Sequence, residues 1–342
     1  MKRKSILFLL AAFLLLTVFA VTACKDNNDS SDKKVAIAMA NSSASWQRNG
    51  QDIKQELEKQ GFTTDLQFAD TAEQQANQLR AMLEENPKCI IIGAVNSEAL
   101  TDALKAAKEK KIPVISYDRL IMNSDSVSYY ASFDGEAVGT AMGKYLEAAL
   151  NLKSGAGPYN IEIFAGDPAD NNAHVFYHGA MKILQPYFDK GQLVCRSKET
   201  TFDATATKDW KPENAQARME KLLAKYYADG TTLNAVLSPN DGLAGGIIKS
   251  LEAGYHGSWP LITGQDADKG GLDAVRQGKQ AITIFKDPNI LNAKCVKMVK
   301  AVVEGTQPDI NDNKSYNNGA VTVPAYLCTP LIIDKNNLDE VK

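Results

Sequence analysis

From residue 34 onwards, short apolar runs alternate with amphipathic stretches, and this restricts the fold more than any other feature of the chain. The runs Val35-Ala36-Ile37-Ala38-Met39, Cys89-Ile90-Ile91-Ile92-Gly93 and Pro113-Val114-Ile115-Ser116 are nearly continuous in apolar residues. That is the pattern of strands covered on both faces of a parallel sheet. Between them, helical spacing places Ile53 and Leu57 on one side of 47–60, and Ala76, Leu79 and Leu83 on one side of 72–84. Ser97 reads as the N-cap of the next helix, with Leu100, Ala103, Leu104 and Ala107 facing inward. Repeats of this length imply a doubly wound parallel sheet with right-handed crossovers.

The pattern continues with strands over 62–68 and 127–131 and a helix over 135–150. A turn-rich stretch, 152–159, interrupts it. It then restarts, with strands over 160–164, 192–196, 235–237, 261–263 and 281–285 and helices over 172–184, 212–228, 242–252, 271–276 and 288–304. Tail strands read over 320–323 and 331–333. A chain of 342 residues exceeds one ordinary core. Two α/β halves, each opening polar loops at strand carboxyl ends, can face each other across a cleft.

Charge excludes one class of function. The net charge is −3 and no basic run occurs after the N-terminus, so nothing marks a nucleic-acid surface. The N-terminus itself is basic at Lys2-Arg3-Lys4, runs through apolar and small residues from Ile6 to Ala23, and ends in small residues before Cys24. A basic start, an apolar core and small residues before a cleavage point make a secretory signal, here over 1–23. Residues 25–33 are polar and low in complexity, and read as a tether. Of the other cysteines, Cys89, Cys195, Cys295 and Cys328 are far apart and outside any CxxC, so buried free thiols are expected, with a Cys295–Cys328 bridge as the alternative. No Gly-rich phosphate loop occurs. His174 and His178 stand one turn apart without an evident third ligand, so neither cofactor nor metal is expected.

The residues just beyond the strands form a consistent set. The first strand leads to Trp46, the fourth to Asp118-Arg119, and the strand ending at Phe164 to Asp170-Asn171-Asn172. The later ones lead to Asn240-Asp241, Asp266 and Lys286, and Trp210 stands in a loop. Asp170 or Asn171 also reads as the cap of the helix from 172, Asp266 as the cap of the next, and Lys286 as a solvated charge. Trp259, before a strand, reads as packing. Taken together, the set suits a sugar: hydroxyls both donate and accept, so carboxylates and amides paired with Arg and Lys satisfy them. Flat aromatics suit the C–H faces of the ring.

Ser43-Ala44-Ser45-Trp46, Tyr117-Asp118-Arg119-Leu120-Ile121, Asp170-Asn171-Asn172-Ala173, Ser238-Pro239-Asn240-Asp241-Gly242, Gly264-Gln265-Asp266-Ala267 and Ile284-Phe285-Lys286-Asp287 resemble the type I periplasmic sugar-binding proteins of ABC importers. The similarity spans 34–335 and is closest to the ChvE-type multiple-sugar receptors and the xylose-binding branch. The resemblance implies two doubly wound lobes joined by a three-crossover hinge, with lobe one over 34–132 plus 287–322 and lobe two over 133–286 plus 323–342. It implies that Trp46 and Trp210 sandwich a pyranose. It further implies that Asp118, Arg119, Asn172, Asp241, Asp266 and Lys286 bond the sugar, with Asp170 and Asn240 in or beside that shell. The family usually has Arg before the first Trp, where this chain has Ser45. The N-terminus resembles a bacterial lipoprotein signal, which implies that Cys24 is lipidated and anchors the protein outside the cytoplasmic membrane.

The expected function is therefore capture of an aldose by a monomeric receptor and delivery to an ABC permease, without catalysis. A xylose-specific receptor, or one that docks on a chemoreceptor or sensor kinase, is an alternative. From other classes come a sugar-acting enzyme using Asp118 and Asp241 and a sugar-responsive regulator, whose DNA-binding helices would have to stand where the signal stands.

Overall fold

The computed structural model describes residues 33–41 and 44–341. The signal segment, Cys24, the tether up to residue 32, and Ser42-Ser43 lie outside the described residues. Among the described residues no helix is long and apolar enough to cross a membrane.

The first lobe is built on β1 (Lys34–Ala40), β2 (Thr63–Ala69), β3 (Cys89–Gly93), β4 (Val114–Tyr117) and β5 (Val127–Phe133), with helices α1 (Ala44–Lys59), α2 (Ala72–Glu84) and α3 (Thr101–Glu109) between them. The second begins with α4 (Gly135–Ala149), β6 (Tyr159–Ile163), α5 (Asn171–Asp189), β7 (Leu193–Val194), α6 (Phe202–Thr205) and α7 (Pro212–Leu222). It goes on through β8 (Ala235–Leu237), α8 (Asp241–Gly254), β9 (Leu261–Ile262), α9 (Lys269–Arg276) and β10 (Thr283–Phe285). The chain ends with α10 (Pro288–Val303), β11 (Ala325–Cys328) and β12 (Leu331–Ile333).

Six parallel strands lie in the order β11-β5-β4-β3-β1-β2, and four more in the order β7-β6-β8-β9. β10 and β12 pair antiparallel, and Ala281 N to Ile262 O (2.8 Å) and Asp266 N to Ile284 O (2.8 Å) join them to the second sheet. All five residues of β3 are buried, as a strand sandwiched between helices requires. One side of the first sheet packs on Leu79, Leu83, Leu100 and Leu104, the other on Ile53, Leu57, Leu291 and Val299. The second sheet is covered likewise, by Val138, Phe176 and Leu184 on one face and Met219, Leu243 and Ile247 on the other.

The strand order reverses between β1 and β3 in the first sheet and between β6 and β8 in the second. Crevices for ligands open at such reversals, beyond the carboxyl ends of the strands.

Several expectations need correction. The third crossing between lobes falls after Cys328, not at 323, because Ala325–Cys328 register with Tyr130–Phe133 at the edge of the first sheet. The expected strand 320–323 is a loop instead. The Asn318 side chain takes the N–H groups of Ala320 (3.0 Å) and Val321 (2.9 Å) and donates to Ile121 O (3.1 Å) and Ser124 O (2.7 Å). Ser97 does not cap α3, which starts at Thr101; its N–H and hydroxyl bond to the other lobe, while its carbonyl accepts from Met122 N at 2.7 Å. Trp259 is not a core residue: it is 39% exposed, with its indole N–H donating to Lys279 O at 2.9 Å.

Cys89, Cys195, Cys295 and Cys328 are all buried free thiols. Burial pushes Cys89 up to about 12 and Cys328 up to about 11, which keeps them protonated and inert. The Cys295–Cys328 bridge is not formed.

Candidate functional site

At the end of β4 the chain turns through Asp118 with φ 60°, a left-handed conformation that costs a non-glycine residue free energy unless its surroundings hold it. They do. The Asp118 N–H donates to Ala131 O (2.8 Å), and its carbonyl accepts from Tyr130 Oη (2.6 Å), Ser132 Oγ (2.8 Å) and Asn172 Nδ2 (3.1 Å). The turn leaves the carboxylate facing the second lobe, where Asn172 Nδ2 also reaches Oδ1 at 3.2 Å.

Arg119 comes next. Its Nη1 donates to the carbonyls of Ala94 and Val95 (both 3.1 Å), its Nε to Asp170 Oδ2 (2.9 Å), and its guanidinium carbon stands 5.2 Å from the Trp46 ring centroid. Gln75, fully buried, holds the acceptors in place: its Oε1 takes the Val95 N–H at 2.8 Å and its Nε2 donates to Gly93 O at 3.0 Å.

Asp170 caps α5, its Oδ1 accepting the Asn172 N–H at 2.9 Å. Its Oδ2 takes Arg119 Nε and also the Trp210 indole N–H (3.2 Å). One carboxylate thus both caps α5 and faces the gap between the lobes through Arg119 and Trp210. Asn240 likewise caps α8 through Leu243 N (2.9 Å) while its Nδ2 reaches Asp266 Oδ2 at 3.4 Å. Asp266, at φ 97°, pairs with Lys286 at 3.0 Å, and Lys286 Nζ stands 5.4 Å from the Phe176 ring.

The two indoles are seated alike, one per lobe. Trp46 lies over Gly93 at the end of β3, and its ring meets Tyr117 edge-on at 6.1 Å. Trp210, at φ 53°, lies over Gly166 just beyond β6.

Asp241 departs from the set. It is 3% exposed, and both carboxylate oxygens are taken by protein donors: Oδ1 by Gln280 Nε2 (2.7 Å), Oδ2 by Thr283 Oγ1 (2.8 Å) and Asp268 N (3.2 Å). The other nine converge at the two strand-order reversals and across the gap between lobes.

Some site residues carry no charge and escaped sequence reasoning. Ser97 N donates to Ala169 O (3.1 Å) and Ser97 Oγ accepts from Asn171 N (3.3 Å), clasping the lobes at the rim. Tyr130, Ser132, Gly93 and Gly166 shape the site from beneath. Only the strand-end position of the glycines could have flagged them.

Electrostatics reflects this packing. Burial raises the Asp118 carboxyl, with Asp170 and Asp266 adding to the rise and Lys286 and Arg119 opposing it. Burial works against the Lys286 charge, but Asp266, Asp118 and Asp170 overcome it and hold its pKa above the ordinary lysine value. Among the described residues no three His, Cys, Asp or Glu side chains assemble as a metal site. His174 stacks on Phe202 (3.8 Å between ring centroids) with Nε2 3.0 Å from Pro168 O, while His178 lies edge-on to Tyr177.

Two doubly wound lobes, linked by three crossings and clasped over a polar, indole-walled gap, define a two-lobed cleft-type binding protein. The periplasmic binding protein domain matches residues 35–307, and the chain belongs to that family. It is 43% identical over 313 residues to the multiple sugar-binding periplasmic receptor ChvE of Rhizobium radiobacter, covering 90% of this chain and 88% of that one. It is 32% identical over 344 residues to the D-xylose-binding periplasmic protein of Escherichia coli, covering 99% and 96%. Among solved structures, an ABC transporter solute binding protein from Clostridium phytofermentans with bound β-D-glucose superposes with a TM-score of 0.87 at 45% identity, covering 90% of this chain and 96% of that one. These relatives are receptors and binding proteins, not enzymes. The paired-carboxylate enzyme reading also loses Asp241, whose oxygens are both occupied.

Proposed function

We propose that the protein captures an aldopyranose of the glucose, galactose or xylose type between its lobes and presents it, outside the cytoplasm, to an ABC permease. The observation that carries this reading is the meeting of Asp118 and Arg119 from one lobe with Asp170 and Asn172 from the other. Charged acceptors and donors sit within bonding range of one another, so a ring of hydroxyls entering between them finds both. Trp46 and Trp210 offer the ring its two faces. Asn240, Asp266 and Lys286 close the hydroxyl contacts on the second lobe. A site of this kind rejects ligands that lack hydroxyls, since its own groups would be left buried and unpaired.

Greater identity to the multiple-sugar receptor than to the xylose protein favours a broad aldose range over xylose alone. Isothermal titration against D-glucose, D-galactose, D-xylose, L-arabinose and D-ribose tests this. One-to-one binding of several aldoses, abolished by Asp118→Ala, is the expected result. Binding of xylose alone would narrow the reading to the xylose branch, and binding of none would end it.

The anchor is a separate part of the proposal. Lipidation of Cys24 tethers the receptor to the membrane through residues 25–33. Radiolabelled fatty acid should enter the wild-type protein, and Cys24→Ser should release an unlabelled protein to the medium or periplasm. Label retained in that variant would refute the assignment.

A further inference from the structure

Resting on the sugar-binding reading, we propose that Asp241 is a positioning residue. It fixes the three second-lobe groups Asn240, Asp266 and Lys286 for the sugar without touching the sugar itself.

The geometry joins four segments on one carboxylate. Asp241 opens α8 directly after Asn240, and its backbone N–H donates to Gln265 O at 2.9 Å. Its Oδ2 accepts from Asp268 N (3.2 Å) in the loop that holds Asp266 and from Thr283 Oγ1 (2.8 Å) on β10, which leads to Lys286. Its Oδ1 accepts from Gln280 Nε2 at 2.7 Å, just before that strand. The Thr283 hydroxyl relays the tie further, because it also accepts the N–H of Ala267 at 3.1 Å.

The backbone encloses the same carboxylate. A β-carbon on Gly264 would fall 2.3 Å from Asp241 Oδ1, and one on Gly271 would fall 2.1 Å from Oδ2. With every approach taken by protein, a hydroxyl of the ligand has no acceptor position left on this side chain.

The consequence lies in Asp266 and Ala267. Their φ angles of 97° and 49° are rarely adopted by L residues, and such angles persist only where surrounding bonds dictate them. Here the bonds at Asp268 N and Ala267 N both lead back to Asp241. All three donors to the carboxylate are neutral, so Asp241→Asn keeps its shape and volume, but the amide can accept on one side only and breaks the ties on the other. Gln280 cannot compensate by turning over, because its Nε2 also donates to Ile282 O at 2.9 Å.

The test measures D-glucose affinity of the full protein by titration for Asp241→Asn and for Thr283→Val, each alone and combined with Asp266→Ala or Asp118→Ala. Amide exchange is monitored without sugar. Each single variant should weaken binding by roughly tenfold or more, the scale of one charged hydrogen bond. In the Asp266→Ala background the loss should shrink, leaving only the part that acts through Asn240 and Lys286, while in the Asp118→Ala background it should persist in full. Exchange should quicken over 264–271 and 283–286 and stay unchanged over 94–119. Undiminished loss in the Asp266→Ala background would make Asp241 a direct contact and overturn the inference. So would wild-type affinity together with unaltered exchange. If the wild-type protein binds no aldose, the sugar reading falls, and the exchange pattern alone decides whether Asp241 sets these loops.

Discussion

Trp210 lies directly over Gly166: a β-carbon on that glycine would stand 2.0 Å from Cη2 of the indole. The ring therefore rests on bare backbone, held at its other end by the bond to Asp170. Gly166→Ala should push the plate off its seat and weaken sugar binding by about tenfold or more, with little change in unfolding, since the indole is only half-buried. Titration and a thermal melt on the same preparation check this. Unchanged affinity would show that the ring position is not set from below.

The Arg119–Asp170 pair crosses between lobes with side chains 12% and 7% exposed. Removing one partner of such a pair strands the other charge, at a cost of about 3 kcal/mol. Asp170→Ala should therefore raise the dissociation rate of bound sugar far more than it lowers the association rate. Stopped-flow tryptophan fluorescence separates the two, and a purely association-rate effect would contradict this view of closure.

Acid should weaken binding before alkali does. Burial raises the Asp118 carboxyl, so as pH falls Asp118 takes up a proton at a higher pH than a free aspartate, near 4. A protonated carboxyl is a poorer partner for sugar hydroxyls and for Lys286, so affinity should already fall on the acid side above the free-aspartate range. Lys286, held above its ordinary value by the surrounding carboxylates, stays charged, so affinity should be flat up to about pH 9. Titrations from about pH 4.5 to 9 would reveal the profile; an alkaline loss with no acid loss would reverse the assignment.

Glycines elsewhere should behave according to the space around them. A β-carbon on Gly139 of α4 would fall 2.1 Å from Phe176 O, backbone that cannot yield, whereas Gly245 of α8 has nothing within 4 Å. Gly139→Ala should cost about 2 kcal/mol or more by forcing α4 from α5. Gly245→Ala should stabilise by roughly 0.5–1 kcal/mol through helix propensity. Urea unfolding of the two variants tests the contrast.

The chain discloses its lobes readily because β3 and its neighbours are buried on both faces, which leaves a continuous apolar run that little else produces. Strand ends then advertise Asp118, Arg119, Asp170 and Asn172 as polar groups placed directly after such runs. Asp241 carries the same signature, yet it is buried: its donors Thr283 and Gln280 lie some forty residues on, and sequence spacing holds no trace of that meeting. Ser97 misleads for a related reason, since a serine before a helix looks the same whether its hydroxyl meets its own helix or another lobe. β11 is hidden because Ala325-Tyr326-Leu327-Cys328 comes after a loop whose shape depends on one buried asparagine, Asn318.

The late crossing at Cys328 has a mechanical meaning. Leu327 is in the edge strand of the first lobe and Leu331 in the β-ladder of the second, so probes four residues apart on one chain ride on different bodies. On this crossing any movement of one lobe against the other has to be absorbed within that short span of backbone, making Thr329-Pro330 a natural strain gauge for opening and closing, placed where no probe need enter the cleft.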